Sequence, residues 1–174
     1  DESMQEVVDQ VREQEKPAVV VVISHNGMDV DLKMASRVSG IDVIFGGHTH
    51  DGIPQPSVVK NPGGQTLVTN AGSNGKFLGV MDLDVRKGKV EGYRYRLMPV
   101  FSNLLEADAE MFRYIEKVRA PYRTQLREKL AVADQTLYRR GNFNGTFDQV
   151  ICDALREVND AEISLSPGFR WGTT

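Results

Sequence analysis

All three histidines of the chain stand in two short polar stretches, each following an apolar run. Ser24-His25-Asn26-Gly27 comes after residues 18–23, and Gly46-Gly47-His48-Thr49-His50 comes after residues 41–45. Imidazole is a borderline ligand suited to zinc, manganese, iron and similar ions. In an extended segment residues i and i+2 point the same way, which predicts that His48 and His50 aim into one cavity. His25 follows a neighbouring strand, so the three rings are expected to meet at one sheet edge. Gly46 and Gly47 let the backbone turn tightly and approach a ligand closely. A lone loop histidine is most simply a polar surface residue. Three of three at adjacent strand ends, with Gly-Gly leading into His-x-His, read as metal ligands. Ser24 as a nucleophile lacks the G-x-S-x-G setting; it reads instead as a hydrogen-bonding partner beside the metals.

The elements that position these residues follow from periodicity. Ser3-Met4-Gln5-Glu6 reads as a capping box opening a helix to about Gln14. Residues 18–23 form a β-branched run, the mark of a strand buried on both faces. A helix is predicted over 30–38, stopped by Gly40, and a buried strand over 41–45. This is α/β layering, in which ligands collect beyond the carboxyl ends of strands. Residues 52–64 are rich in Pro and Gly and read as loop, with a short strand at 57–60. Strands follow at 65–70 and 77–85, then a Lys87-Gly88 turn and an alternating return strand over 90–98. This meander either extends the first sheet or covers it.

Over 107–133 the apolar residues Phe112, Ile115, Val118, Tyr122, Leu126 and Leu130 recur at helical spacing, with Pro121 kinking or splitting the helix. Residues 141–145 read as a Gly-rich loop. Thr146-Phe147-Asp148-Gln149 reads as a second capping box, for a helix to about Val158, and 161–165 as a strand. The single cysteine, Cys152, excludes an internal disulfide and lies in an apolar helix pattern, which predicts a buried, inert thiol.

The bulk numbers remove several classes of function. A net charge of -3 gives no electrostatic case for nucleic-acid binding. The longest apolar run is far too short to span a bilayer, so no membrane insertion is expected. Asp1-Glu2-Ser3 opens directly into a helix pattern and not a signal-peptide pattern, which says little where Asp1 is not the natural start.

Ser-His-Asn-Gly, followed by Gly40-Ile41-Asp42-Val43-Ile44-Phe45-Gly46-Gly47-His48-Thr49-His50, resembles the C-terminal half of the calcineurin-like metallophosphoesterase domain of the 5′-nucleotidase type. Ala71-Gly72-Ser73-Asn74-Gly75-Lys76-Phe77-Leu78-Gly79 is similar to that family's strand-leading loop. Residues 107–133 are similar to its inter-domain helix. The resemblance implies an α/β (α+β) fold: the C-terminal half of a four-layer β-sandwich over 1–103, a linker helix over 104–133, and the start of a substrate-binding domain over 134–174. It gives His25, His48 and His50 the role of ligands to two divalent metals, with manganese implied. The family's Asp-x-His and Gly-Asn-His-Asp motifs, which carry the other ligands and a catalytic histidine, are not present in this sequence. They are expected upstream of Asp1, and further structure is expected after Thr174, so this stretch alone is expected to be inactive.

Asn142-Phe143-Asn144-Gly145-Thr146-Phe147-Asp148-Gln149 and Ser166-Pro167-Gly168-Phe169-Arg170-Trp171-Gly172 resemble, more closely, the SoxB-type thiosulfohydrolases of sulfur oxidation. Both stretches depart from the usual nucleotidase pattern. Arg170 falls on the family's substrate-binding arginine, whose fork suits a tetrahedral oxyanion, with Asn142 and Asn144 beside it. The implied reaction releases sulfate from a cysteine S-thiosulfonate on a SoxYZ-like sulfur-carrier protein, in the periplasm. Two alternatives stay open: a 5′-nucleotidase or 2′,3′-cyclic-nucleotide phosphodiesterase on the same scaffold, and a metal-free binding module.

Overall fold

The computed structural model describes residues 2–139 and 145–166. The chain divides into two compact units, residues 1–106 and 107–174.

The first unit opens with helix α1 (Glu2–Gln14). It begins one residue before the Ser3 of the expected capping box, so Ser3 lies inside the helix. Strand β1 (Val21–Ile23), helix α2 (Met28–Arg37) and strand β2 (Val43–Gly46) follow. Strands β3 (Ser57–Asn61) and β4 (Gly64–Asn70) form a hairpin. The sheet order is β1-β2-β4-β3, with β1, β2 and β4 parallel. Three strand ends therefore point the same way, and the polar segments after β1, β2 and β4 are gathered at one edge.

One sheet face carries the main buried cluster, while Val43 and Leu67, at the alternate positions of β2 and β4, are buried as well. Val8 of α1, Met34, Ala35 and Val38 of and after α2, and Ile41, Ile44 and Val68 form a buried cluster, with Val22 and Val59 packed against it. At the opposite end of the strands, Arg12 donates to Gly40 O and Pro17 O and pairs with Asp42, whose Oδ2 also accepts from Val20 N. This contact ties the end of α1 to the starts of β1 and β2. The expectation that residues 18–23 are buried on both faces is corrected. β1 has three residues, stands at an edge of the sheet, and leaves Ile23 88% exposed. An apolar run favours a strand, but burying its second face requires a layer above it.

Strands β5 (Phe77–Arg86) and β6 (Lys89–Pro99) pair antiparallel as a separate two-stranded sheet. Lys87 and Gly88 both have positive φ, 50° and 73°, the conformation whose twist matches a two-residue hairpin turn.

The second unit begins with α3 (Ala109–Arg119), capped by Asp108 accepting from Met111 N at 2.7 Å. Pro121 falls in a 3₁₀ turn (Ala120–Tyr122), which splits α3 from α4 (Arg123–Arg127). The helical stretch thus ends at 127 and not at 133. Its apolar stripe is not buried within the described residues: Phe112, Ile115, Val118, Tyr122, Leu126 and Leu130 are all exposed. Helix α5 (Thr146–Asn159) is preceded by Gly145 and does not form the expected capping box. Thr146 Oγ1 instead accepts from Tyr138 N at 2.8 Å, and Gln149 donates to Asp153 at 2.7 Å. Arg139 pairs with the buried Asp148 at 3.1 Å. Cys152 is half-buried, less than its helix pattern predicts. Residues 161–165 are not a strand. Among the described residues no strand lies beside them, and Ser164 Oγ bonds back to Cys152 O at 2.8 Å.

Candidate metal centre

The edge where β1, β2 and β4 end is where the sequence placed its chemistry. Ser24 N donates to Phe45 O at 2.9 Å, which carries the β1–β2 ladder one residue beyond β1 and fixes where His25 begins. After β2, Thr49 N donates to Gly47 O at 2.9 Å, closing a three-residue turn centred on His48. Thr49 Oγ1 accepts from Met28 N at 3.2 Å and donates to Asp51 at 2.5 Å, tying this loop to the start of α2. Gly27, with φ 101°, stands where the two histidine loops meet. A Cβ there would lie 3.0 Å from Thr49 Cγ2 and 3.5 Å from His48 Cδ2.

The turn brings His25 and His48 together. His48 Nδ1 lies 3.4 Å from His25 Nε2, with ring centroids 5.1 Å apart and planes at 75°. Both rings are exposed. Two imidazole nitrogens bound to one ion at about 2.0–2.1 Å in tetrahedral geometry lie roughly 3.4 Å apart. The His25–His48 nitrogen separation equals that distance.

His50 does not complete a three-ligand group. Among the described residues no set of three His, Cys, Asp or Glu side chains is arranged to hold a metal. The expectation that His48 and His50 point the same way rested on an extended backbone. His48 and His50 instead have φ of 71° and 59°, left-handed conformations in which strand alternation does not apply. Half-buried His50 sits at the end of this turn. Arg170, Asn142 and Asn144 lie outside the described residues.

Three supporting residues were not singled out by the sequence. Asn70, 1% exposed at the end of β4, donates to Gly47 O at 3.2 Å and accepts from Gly72 N at 3.2 Å. It joins the third strand end to the histidine loop. Thr49 is the second. The third is Asp31, fully buried, which accepts from Ser24 Oγ at 2.5 Å. Its signal was present: Asp31, Met34, Ala35 and Val38 follow the i, i+3, i+4, i+7 spacing of a buried helix face, and a carboxylate at the head of such a stripe is unusual. Ser24 Oγ donates to Asp31 and accepts from Asn26 N.

Gly46 shows how closely these parts fit. A Cβ at this position would lie 2.6 Å from Asp31 Oδ2 and 3.4 Å from Thr69 O. Gly46→Ala is expected to destabilise the fold by about 1–3 kcal/mol, measured by urea unfolding. A change within roughly 0.5 kcal/mol would show that this packing is loose.

No protein-family model matches the chain. The structure superimposes on the sulfate thiohydrolase SoxB of Thermus thermophilus with a TM-score of 0.83 and 35% identity, covering 98% of this chain and 31% of that one. This likeness supports membership, as a fragment, of the SoxB-like 5′-nucleotidase family. A second solved family structure, a 5′-nucleotidase precursor also from Thermus thermophilus, gives a TM-score of 0.79 and 26% identity over 91% of this chain and 35% of that one. Among curated relatives, the trifunctional nucleotide phosphoesterase protein YfkN of Bacillus subtilis is 39% identical over 82 residues, 47% of this chain and 6% of that protein. The chain thus spans a third or less of the first of these structures and a small part of YfkN. The α/β architecture expected from the sequence agrees with both solved structures.

Proposed function

We propose that the whole protein is a metal-dependent hydrolase that releases sulfate from a cysteine S-thiosulfonate on a sulfur-carrier protein. The observation that supports this reading best is the likeness to SoxB, which is closer in identity, coverage and superposition than that to the 5′-nucleotidase precursor. In the proposed reaction a water oxygen attacks the terminal sulfonate sulfur. The sulfur–sulfur bond breaks, sulfate leaves, and the carrier keeps its sulfane sulfur; no oxidant is needed. Two divalent ions, manganese in this reading, would supply water activation and neutralise charge on the oxyanion. This chain's part is to present His25 and His48 as adjacent nitrogen ligands at the strand ends, with His50 as a further ligand once the remaining ligands are in place. Arg170, with Asn142 and Asn144, would grip the sulfonate oxygens. The carrier is SoxYZ-like and the location periplasmic in the same reading.

A second reading, hydrolysis of nucleotide phosphate esters, is favoured by the 39% identity to YfkN. Manganese-loaded whole protein is expected to release sulfate from a thiosulfonate-loaded carrier and to leave AMP and 2′,3′-cyclic AMP essentially intact. Phosphate release from AMP, or ring-opening of 2′,3′-cyclic AMP to a nucleoside monophosphate, without sulfate release would replace the first reading with the second. A wild-type protein that takes up no metal would sink both.

A further inference from the structure

We propose that Asp31 is a positioning residue: its buried carboxylate sets the two strand-end loops so that His25 and His48 face each other. Four observations carry this. Asp31 is 0% exposed, and its Oδ1 takes the hydrogen of Ser24 Oγ at 2.5 Å. With that hydrogen committed, a lone pair of the same hydroxyl accepts from Asn26 N at 3.2 Å. His25 is therefore the middle residue of a turn whose closing hydroxyl is aimed by Asp31. On the other side, Gly46 packs so closely on Asp31 Oδ2 that a Cβ would come within 2.6 Å, and at the next residue a Cβ on Gly47 would come within 3.1 Å of His25 Nδ1. One side chain thus touches the segment before His25 and the segment before His48.

The rest of the environment explains why a carboxylate is tolerated there. Asp31 lies in the first turn of α2, where the helix N-terminus favours negative charge, and its own N–H is held by Gly27 O at 2.9 Å. Oδ2 is buried without a hydrogen-bond partner. A half-satisfied buried carboxylate is a poor source of stability compared with an apolar side chain of the same shape. What it provides is a fixed acceptor for Ser24 and a fixed wall for Gly46. Sequence periodicity points to the same distinction, since Asp31 occupies a core position of α2 without being a core residue type.

The proposal rests on the reading of His25 and His48 as metal ligands, and the test separates the two. Asp31→Ala, Ser24→Ala and Ser24→Thr are made in the whole protein. Manganese affinity is measured by titration calorimetry, and backbone amide exchange is followed by mass spectrometry on the metal-free protein. Asp31→Ala and Ser24→Ala are expected to weaken manganese binding about tenfold or more, the usual effect of removing a group that orients a ligand. Both should speed exchange in the peptides containing residues 24–27 and 46–50 without changing the β3–β4 hairpin. Combining them should be no worse than the worse single change, and Ser24→Thr, which keeps the hydroxyl, should behave as wild type. Wild-type manganese affinity and wild-type exchange in folded Ser24→Ala would overturn the proposal. If the unsubstituted protein binds no manganese, the metal reading fails, and the exchange data alone decide whether Asp31 sets the loops.

Discussion

Replacing His48 with glycine in the whole protein is expected to lower hydrolytic turnover by about 100-fold or more and to reduce bound metal. Substitutions that only misorient a ligand already cost roughly 10–100-fold, so loss of a ligand should cost at least as much. Glycine is the informative replacement because His48 has φ 71°. A residue with a Cβ carries strain there that glycine does not. The glycine variant therefore removes the imidazole while easing the turn, so its unfolding midpoint should not fall. His48→Ala, which also removes the ring, should match it in activity and metal content. Full metal content and turnover in both variants would remove His48 from the candidate site, leaving the His25–His48 contact as a feature of the fold.

The second large effect is on stability. Ile44→Ala is expected to cost about 2–5 kcal/mol, and Ile44→Val about 0.5–1.5 kcal/mol. Ile44 is fully buried in β2, paired with Val22 on one side and Val68 on the other, and packs in the cluster that joins α1 and α2 to the sheet. Rigid parallel strands on both sides leave the cavity little freedom to collapse. Ile23→Ala is the control, since Ile23 is 88% exposed and its loss should stay within about 0.5 kcal/mol. Urea unfolding of the three variants gives the ranking. Equal costs at Ile44 and Ile23 would contradict the placement of the core on the α1/α2 face.

The contrast between Ile44 and Ile23 also shows what the sequence could and could not reveal. Both lie in apolar β-branched runs, and both were expected to be buried strand residues. Local pattern reports what a segment can form; whether a second layer covers it depends on distant residues. The same limit explains the six apolar residues of α3, its 3₁₀ turn and the segment after it, whose spacing predicted a helix face that is exposed among the described residues. It also explains residues 161–165, whose composition suits a strand but which lack a neighbour to pair with. The Lys87-Gly88 turn and the strands it joins were legible because a hairpin's partner is the next segment of chain.

At the candidate site the residue types were legible and the backbone was not. The placement of all three histidines after parallel strands is what the alternation of helix and strand predicted. The direction of the rings after β2 was inferred from strand geometry, and left-handed conformations at His48 and His50 break that inference. Side chains such as Asp31 and Asn70, which hold the loops from behind, make contacts 7 and 23 residues away in sequence. Asp31 differed from its surroundings enough to be noticed; Asn70 reads locally as an ordinary polar residue at a strand end.

The parallel pairing of β1 with β2 has a consequence for the order of events as the chain folds. His25 and His48 are 23 residues apart, and no local turn joins them. Their approach must await closure of the β1-α2-β2 crossover, a non-local step that is intrinsically slow. The β3–β4 and β5–β6 hairpins need no such closure. The two imidazoles become neighbours only when the sheet between them exists, so a chain caught before that step would hold secondary structure while offering a metal ion two separate single ligands.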